Sequence, residues 1–196
     1  MKKIITTTVL LLLFAFVTSN AAVHVFQPNP VDAYDLDHYR AYTWGIDWDF
    51  GDEEISAVIL KFDNIRNWTN EENSLFIHML NDVSAGLTVY PDSDPAINDY
   101  FGGEGLLIDE WSDTDPTSTS IDLTYNFGDL GNDLSILPQF IDYASNNNFG
   151  FAFDPDCHYW NDGISLTVIT DTPEPATLFL LTFGLAGGYL LNRKKQ

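Results

Sequence analysis

The sequence contains very few cysteines, basic residues and catalytic motifs. Its single cysteine, Cys157, excludes an intrachain disulfide, so the fold must be held by its packed core, helped at most by a bound ion. Only 8 of the 196 residues are Lys or Arg, against 29 Asp or Glu, for a formal charge of −21. That imbalance argues against partners such as nucleic acid, whose binding depends on basic side chains.

Motifs of the common enzyme classes are also missing. The sequence has no G-x-S-x-G, H-E-x-x-H or phosphate-loop pattern. Cys157 is followed by His158, but neighbouring residues of a strand point to opposite faces, which would keep the thiol away from the imidazole. We therefore predict that the protein is not an enzyme, that it has no catalytic residues, and that Cys157 is structural.

The N-terminal residues have the pattern of a secretory signal peptide. Lys2 and Lys3 precede a short apolar run at residues 9–17, and Ser19 and Ala21 provide small side chains at positions −3 and −1 of a cleavage site. The run is shorter than the roughly 20 apolar residues that a membrane-spanning helix needs. The pattern predicts export, with a signal peptide at residues 1–21.

The C-terminal residues have a second membrane-directed pattern in three parts. A Pro-Glu-Pro triplet precedes an apolar segment, and a basic cluster follows that segment. The parts are Pro173, Glu174 and Pro175, then residues 176–191, then Arg193, Lys194 and Lys195. At 1.5 Å per residue the apolar segment would form a transmembrane helix of about 24 Å, short for a hydrocarbon core of about 30 Å. Basic residues beside a membrane segment resist translocation, so this tail is predicted to stay in the cytoplasm.

Residues 172–196 resemble the PEP-CTERM sorting signal of Gram-negative bacteria, since the three parts occur in the required order. The resemblance implies exosortase, an inner-membrane cysteine protease, as a partner that recognises Pro173, Glu174 and Pro175. It also implies a transient stay in the inner membrane, removal of the helix, and delivery to the cell surface or extracellular matrix. An ordinary tail-anchored protein with a proline-containing linker is the alternative.

Residues 22–171 are predicted to form the exported domain. They retain three basic and 28 acidic residues, a formal charge of −25. Segments with alternating apolar and polar residues predict strands near residues 39–49, 55–65, 74–80, 86–90, 106–111, 121–127, 149–153 and 164–169. Residues 134–144 are the best helix candidate, with Pro138 near the first turn. Many short strands separated by turn-rich loops predict a mainly β, antiparallel β-sandwich.

This domain also resembles the β-sandwich ectodomains found before PEP-CTERM tails. The resemblance is carried by residues 55–62 with Trp68, and by residues 154–164 near the end of the domain. It implies a jelly-roll-like fold, similar in outline to carbohydrate-binding modules.

An acidic loop at residues 154–163 is the candidate metal site. Calcium takes six to eight oxygen ligands, which Asp154, Asp156, Asn161 and Asp162 could supply in part. Asp47 and Asp49 would complete the site if their strand were a neighbour of that loop. The alternative is a loop in which Asp and Asn bind their own backbone.

Five tryptophans raise the question of sugar binding, because aromatic faces stack on sugar rings as readily as they fill cores. Trp68, in a polar loop, and Trp160 are the predicted exposed ones. The sequence thus predicts an exported, non-enzymatic surface or matrix protein, with Ca²⁺ as a candidate stabilising ion and extracellular polysaccharide as a candidate partner. A secreted carbohydrate-binding module is one alternative, and a secreted hydrolase, suggested only by the acidic loops, is the other.

Overall fold

Ten strands and one α-helix make up the protein in a computed structural model, which describes residues 20–69, 71, 73–93, 98–113, 119–128 and 135–172. The strands are β1 (Asn20–Phe26), β2 (Arg40–Asp47), β3 (Glu54–Asn67), β4 (Ser74–Asn81), β5 (Gly86–Pro91), β6 (Leu106–Ser112), β7 (Ile121–Asn126), β8 (Asn148–Pro155), β9 (Tyr159–Trp160) and β10 (Gly163–Thr172). The helix, α1, is Leu137–Ala144.

The strands form two antiparallel five-stranded sheets, and the predicted mainly β fold is confirmed. Sheet A has the order β1-β10-β3-β7, with the short β9 also paired to β3. Sheet B has the order β5-β2-β8-β4-β6. Every named strand pair is antiparallel.

The main core lies between the two sheets. Alternate residues of each strand point inward, so Leu60 and Phe62 of β3 face Phe151 and Phe153 of β8. The rings of Phe62 and Phe153, both without exposed surface, are 5.4 Å apart in an edge-to-face arrangement. Burying one such side chain contributes about 1.5–3 kcal/mol to the stability of the folded protein. Because a chain with one cysteine has no intrachain disulfide, this buried layer provides most of the stability.

A second, smaller core covers the outer face of sheet B. It consists of Ala41, Leu80, Val83, Phe101 and Ala152, with Tyr90 packed against them. Phe101 belongs to the loop between β5 and β6, which folds back over the sheet. We call this group the outer cluster. Strand β8 is therefore buried on both of its faces.

The two ends of the described domain lie side by side. Asn20, at the start of β1, pairs with Thr172, at the end of β10. Cleavage after Ala21 would remove the first two residues of β1, and the domain boundaries remain predictions. The apolar run at residues 9–17, the Pro173-Glu174-Pro175 triplet, the predicted helix at 176–191 and the basic tail at 193–195 lie outside the described residues. In the ranges that the structure does describe, no helix is long and apolar enough to cross a membrane.

Sequence patterns located the strands well, with three differences. β1 is an unpredicted strand, and its apolar Val23 and Val25 point outward with 61% and 60% of their surface exposed. β9 has only two residues and leaves no periodic pattern. The helix begins at Leu137 rather than 134, because Pro138 occupies its first turn, where the missing N–H is not needed.

Candidate functional site

The six residues predicted to bind calcium lie in three separate places. β2 and β8 are neighbours, but they are antiparallel, so Asp47 pairs with Asn148 at the start of β8. Asp154 lies six residues further along β8, about 20 Å away at about 3.4 Å per residue. Asp47 and Asp49 therefore do not complete a site with the acidic loop, and the Asp49 carboxylate instead accepts a hydrogen bond from the Gly51 N–H at 2.7 Å.

Asp154 is buried beneath the loop between β5 and β6, which carries Phe101 of the outer cluster. Only 1% of it is exposed, and its Oδ2 accepts a hydrogen bond from the Tyr100 N–H at 2.7 Å. Its Oδ1 is buried and has no hydrogen-bond partner among the described residues. Burial, together with the neighbouring charges of Asp92, Asp156 and Asp99, raises the pKa of Asp154 to about 7, and the hydrogen bond from the Tyr100 N–H offsets part of the rise. Burial makes the charged form of this carboxyl unfavourable, so binding a proton or a cation would stabilise the folded protein.

Asp156 is close to Asp154 and has a similar environment. Its backbone N–H donates to the Ser74 carbonyl at 2.9 Å, while its side-chain Oδ1 is buried without a hydrogen-bond partner in the described part of the chain. Burial raises the pKa of Asp156, and Glu110, Asp92 and Asp99 add to the rise. Asp154 and Asp156 thus remain together as an acidic pair.

Asn161 and Asp162 lie between β9 and β10, beside sheet A. The Asn161 amide donates to the Asp32 carbonyl at 3.0 Å. Asp162 accepts a hydrogen bond from the Asn64 side chain at 2.7 Å. Both residues tie the loop before β10 to its neighbours.

Trp68 and Trp160, the predicted exposed tryptophans, lie on either side of His158. They are 57% and 44% exposed, and their rings are 5.4 Å and 6.0 Å from the His158 ring. Strand β9 places Trp160 opposite Arg66 of β3, whose guanidinium lies 4.4 Å from the ring centroid. The two rings thereby share one surface with a histidine and an arginine.

A group of metal-binding side chains lies on the same surface, and sequence reasoning missed it. Asp37, His38 and His158 each offer one ligand atom, and these atoms all lie within 4.8 Å of one another. We call this group the Asp37 cluster. It is the only group of three or more His, Cys, Asp or Glu ligands with this spacing in the ranges that the structure describes. His158 comes to Asp37 from 121 residues further along the chain, so only the topology could reveal the contact.

A left-handed turn holds Asp37 in place. Residues 33 to 36 all have positive φ, between 41° and 60°, and Ala33 and Leu36 are completely buried. The hydroxyl of Tyr42 then accepts a hydrogen bond from the Asp37 N–H at 2.8 Å and lies 3.2 Å from its carbonyl. Burial raises the pKa of Tyr42 to about 12, which keeps this hydroxyl protonated. Positive φ at non-glycine residues costs free energy and persists where packing enforces it.

Cys157 is adjacent to His158 in the chain but is not part of the Asp37 cluster. It is partly buried and packs against the main core, with its Sγ 4.0 Å from the Thr69 hydroxyl. Its role remains a prediction.

No curated protein and no solved structure matches the chain. The C-terminal residues do match: residues 171–195 fit the model of the PEP-CTERM protein-sorting motif. The chain therefore has an antiparallel β domain followed by a sorting signal, and that signal marks an exported protein of the cell envelope or surface.

Proposed function

We propose that this chain is a non-enzymatic β-sandwich protein that exosortase processes and releases to the cell surface or extracellular matrix of a Gram-negative bacterium. The observation that carries the proposal is the sorting motif at residues 171–195. The motif begins within the last strand of the domain, since its first two residues, Asp171 and Thr172, are also the last two of β10. The sandwich would therefore be held next to the membrane while the motif is read.

The pairing of β1 with β10 supports this arrangement. Asn20 lies opposite Thr172, so the predicted signal peptide and the sorting motif leave the domain at one corner of sheet A. Both predicted cleavage regions would then lie close to the same corner of the domain. Once both segments are removed, the five remaining pairs of the β1–β10 ladder, from Ala22 to Phe26, would keep the new ends in the sheet.

The strand order supports a jelly-roll-like ectodomain. Without the short β9 and the edge strand β5, sheet A reads β1-β10-β3-β7 and sheet B reads β2-β8-β4-β6. Interleaving of early and late strands in both sheets is the arrangement of two Greek keys in a jelly roll. Jelly rolls occur in lectins and capsid proteins, so the fold fits a binding or structural role, although fold alone does not define function.

A non-enzymatic role fits what the acidic residues do. Asp109 accepts a hydrogen bond from the Tyr125 hydroxyl at 2.8 Å, and Glu110 bonds the Ser74 hydroxyl at 3.0 Å. These two neighbouring acids thus hold strands together, and the hydrolase alternative gains no support from them.

Calcium stabilisation is proposed for the acidic pair alone, Asp154 and Asp156. The buried Oδ1 atoms of the two residues have no hydrogen-bond partners among the described residues, and the surrounding charge is negative. A hard cation would compensate both carboxylates, with backbone carbonyls and water supplying further ligands. The formal charge of −25 on residues 22–172 would also favour cation uptake.

Carbohydrate binding is the second candidate function, and the exposure of Trp68 and Trp160 on one surface favours it. The two rings offer stacking faces, and Arg66 offers hydrogen-bond donors beside them. A glycan array would detect binding that is lost in Trp68→Ala but kept in Trp48→Ala, whose tryptophan is also exposed but lies elsewhere. An array without any binder would remove this candidate.

The sorting proposal is tested by changing the recognition triplet in the native host. Substituting Pro173 and Glu174 together by Ala should leave the protein in the membrane fraction with its C-terminal segment attached. A matched change just inside the domain, Thr167→Ala on half-buried β10, should leave release unchanged. If the Pro173/Glu174 variant is released and trimmed like the wild type, exosortase does not recognise this triplet.

A further inference from the structure

The geometry of the Asp37 cluster differs from that of ordinary hydrogen bonding. Nδ1 of His38 and Nδ1 of His158 both lie 3.3 Å from the same Asp37 oxygen, Oδ1. This distance exceeds the usual range of N–H···O hydrogen bonds, about 2.7–3.2 Å. Two imidazole nitrogens thus converge on one carboxylate oxygen without closing on it.

The same distance fits a metal ion between the three atoms. In a tetrahedral zinc site the Zn–N and Zn–O bonds are about 2.0–2.1 Å, which puts neighbouring ligand atoms roughly 3.3–3.4 Å apart. Each of the two N···O distances of 3.3 Å equals the length of an edge of such a tetrahedron. The three atoms would occupy three of its corners.

The Asp37 carboxylate is oriented for this role by its neighbours. Tyr42 fixes its backbone through the two contacts described above, and Arg40 Nε lies 3.7 Å from Oδ2. The positive charge on the Oδ2 side leaves Oδ1 to the histidines. Supporting contacts of this kind orient ligands in metal sites and commonly decide affinity.

The histidines are held by aromatic neighbours rather than by other hydrogen bonds. The Trp68 ring lies 6.4 Å from His38 and 5.4 Å from His158. His158 Nε2 is buried and has no hydrogen-bond partner among the described residues.

The ligand types select the class of metal. Imidazole nitrogens suit zinc and similar transition-metal ions, whereas calcium prefers oxygen ligands alone. Partial exposure of the three side chains, 34% for Asp37, 38% for His38 and 17% for His158, leaves room for a water or an external ligand at the fourth corner. A site with three protein ligands and one open position is therefore expected.

We propose that Asp37, His38 and His158 bind one divalent ion of the zinc class, with the fourth coordination position open on the surface between Trp68 and Trp160. This site is distinct from the acidic pair Asp154 and Asp156, and it does not depend on the sorting function. Binding would fix the left-handed turn before β2 to the segment before β9.

The test is zinc titration of the purified exported protein after treatment with chelator, followed by calorimetry and by tryptophan fluorescence. We expect one equivalent of Zn²⁺ to bind and the fluorescence to change, because Trp68 lies against both histidines. His158→Gln and His38→Gln should each weaken binding by about 100-fold or more, since losing even a supporting residue of a metal site costs about 10- to 100-fold. Cobalt in place of zinc should give the visible absorption of a tetrahedral ion in the wild type but not in these two variants.

His24→Gln is the matched control, because His24 also contacts a carboxylate, that of Glu53 at 2.7 Å, but belongs to no such cluster. It should bind zinc like the wild type. Melting of the metal-free variants should match that of the metal-free wild type, which separates loss of a ligand from loss of the fold. Failure of the wild type to bind zinc, or equal binding by the His38/His158 double variant, would overturn the proposal.

Discussion

The two faces of β8 are both buried, yet they differ in chemistry. The inner face presents Phe149, Phe151 and Phe153 to the main core, with no exposed surface on any of them. The outer face presents Ala152 to the outer cluster and Asp154 to the loop above it. One strand therefore carries an apolar face that packs into the main core and a polar face whose contribution to stability should depend on pH.

The two faces of β8 should therefore differ in how their contribution to stability changes with pH and with added metal. The inner face has nothing to titrate, so its contribution should not change with pH or with added metal. The outer face contains a carboxyl whose burial raises its pKa to about 7, so its contribution should change within the physiological range. The loop from Asp99 to Glu104 is attached to the same face, since buried His78 contacts Asp99 at 2.8 Å and the Glu104 carbonyl at 3.1 Å.

The largest effect is expected on the inner face. Phe153→Ala should lower the free energy of unfolding by about 3–5 kcal/mol, because it leaves a cavity opposite Phe62 in a completely buried layer. Urea denaturation at several pH values should give the same loss at each. Val25→Ala, on the exposed side of β1, is the control and should change stability by about 0.5 kcal/mol or less. A strongly pH-dependent loss for Phe153→Ala would contradict the separation of the two faces.

The second effect is the pH dependence of the outer face. Asp154 has a raised pKa in the folded state, so between about pH 4 and pH 7 the folded protein binds more protons than the unfolded chain. Its contribution is therefore favourable at low pH and is lost as the pH rises through about 7. The loss can reach roughly 4 kcal/mol, at about 1.4 kcal/mol per pKa unit.

Asp154→Asn removes this titration and keeps an oxygen acceptor for the Tyr100 N–H. In the presence of chelator, the variant should be more stable than the wild type near pH 8, and the difference should shrink as the pH falls towards 4. Denaturation curves across this range measure the difference directly. A constant difference between the two proteins would show that Asp154 titrates normally.

The smallest effect concerns calcium. If Ca²⁺ binds at Asp154 and Asp156, a saturating concentration should raise the stability near neutral pH by about 1–3 kcal/mol, because an ion that binds only the folded state favours it. This rise in stability should be absent in Asp154→Asn. It should be present in Asp47→Asn, because Asp47 lies beside the start of β8, away from Asp154. A melting midpoint that chelator does not change would remove calcium from the account.

Much of the fold could be predicted because its strands follow local patterns. β3 and β10 alternate between buried and more exposed residues, and the predicted positions of β3, β4 and β10 differ from the observed ones by only a few residues at each end. β1 was missed because it directly follows the predicted signal peptide, and its valines face outward. The pairing of the first strand with the last is a contact over the whole domain, which no local pattern contains.

The site could be predicted only in parts. Trp68 and Trp160 were singled out by their polar surroundings in the sequence, and they share a surface because β9 pairs with β3. The Asp37 cluster could not be found in this way, since His38 and His158 lie far apart in the chain and neither forms a spaced metal motif. The proposed calcium ligands did not all converge, because strand direction, which the sequence does not specify, puts Asp47 beside the start of β8 and Asp154 near its end.

The most direct test of the central claim, that residues 171–195 act as a sorting signal, is the intact mass of the protein isolated from its native host. The account predicts a released product that begins after Ala21 and lacks the apolar segment at 176–191, and a longer, membrane-bound product when exosortase is deleted. An extracellular product that still carries residues 176–191 in a strain with active exosortase would contradict it.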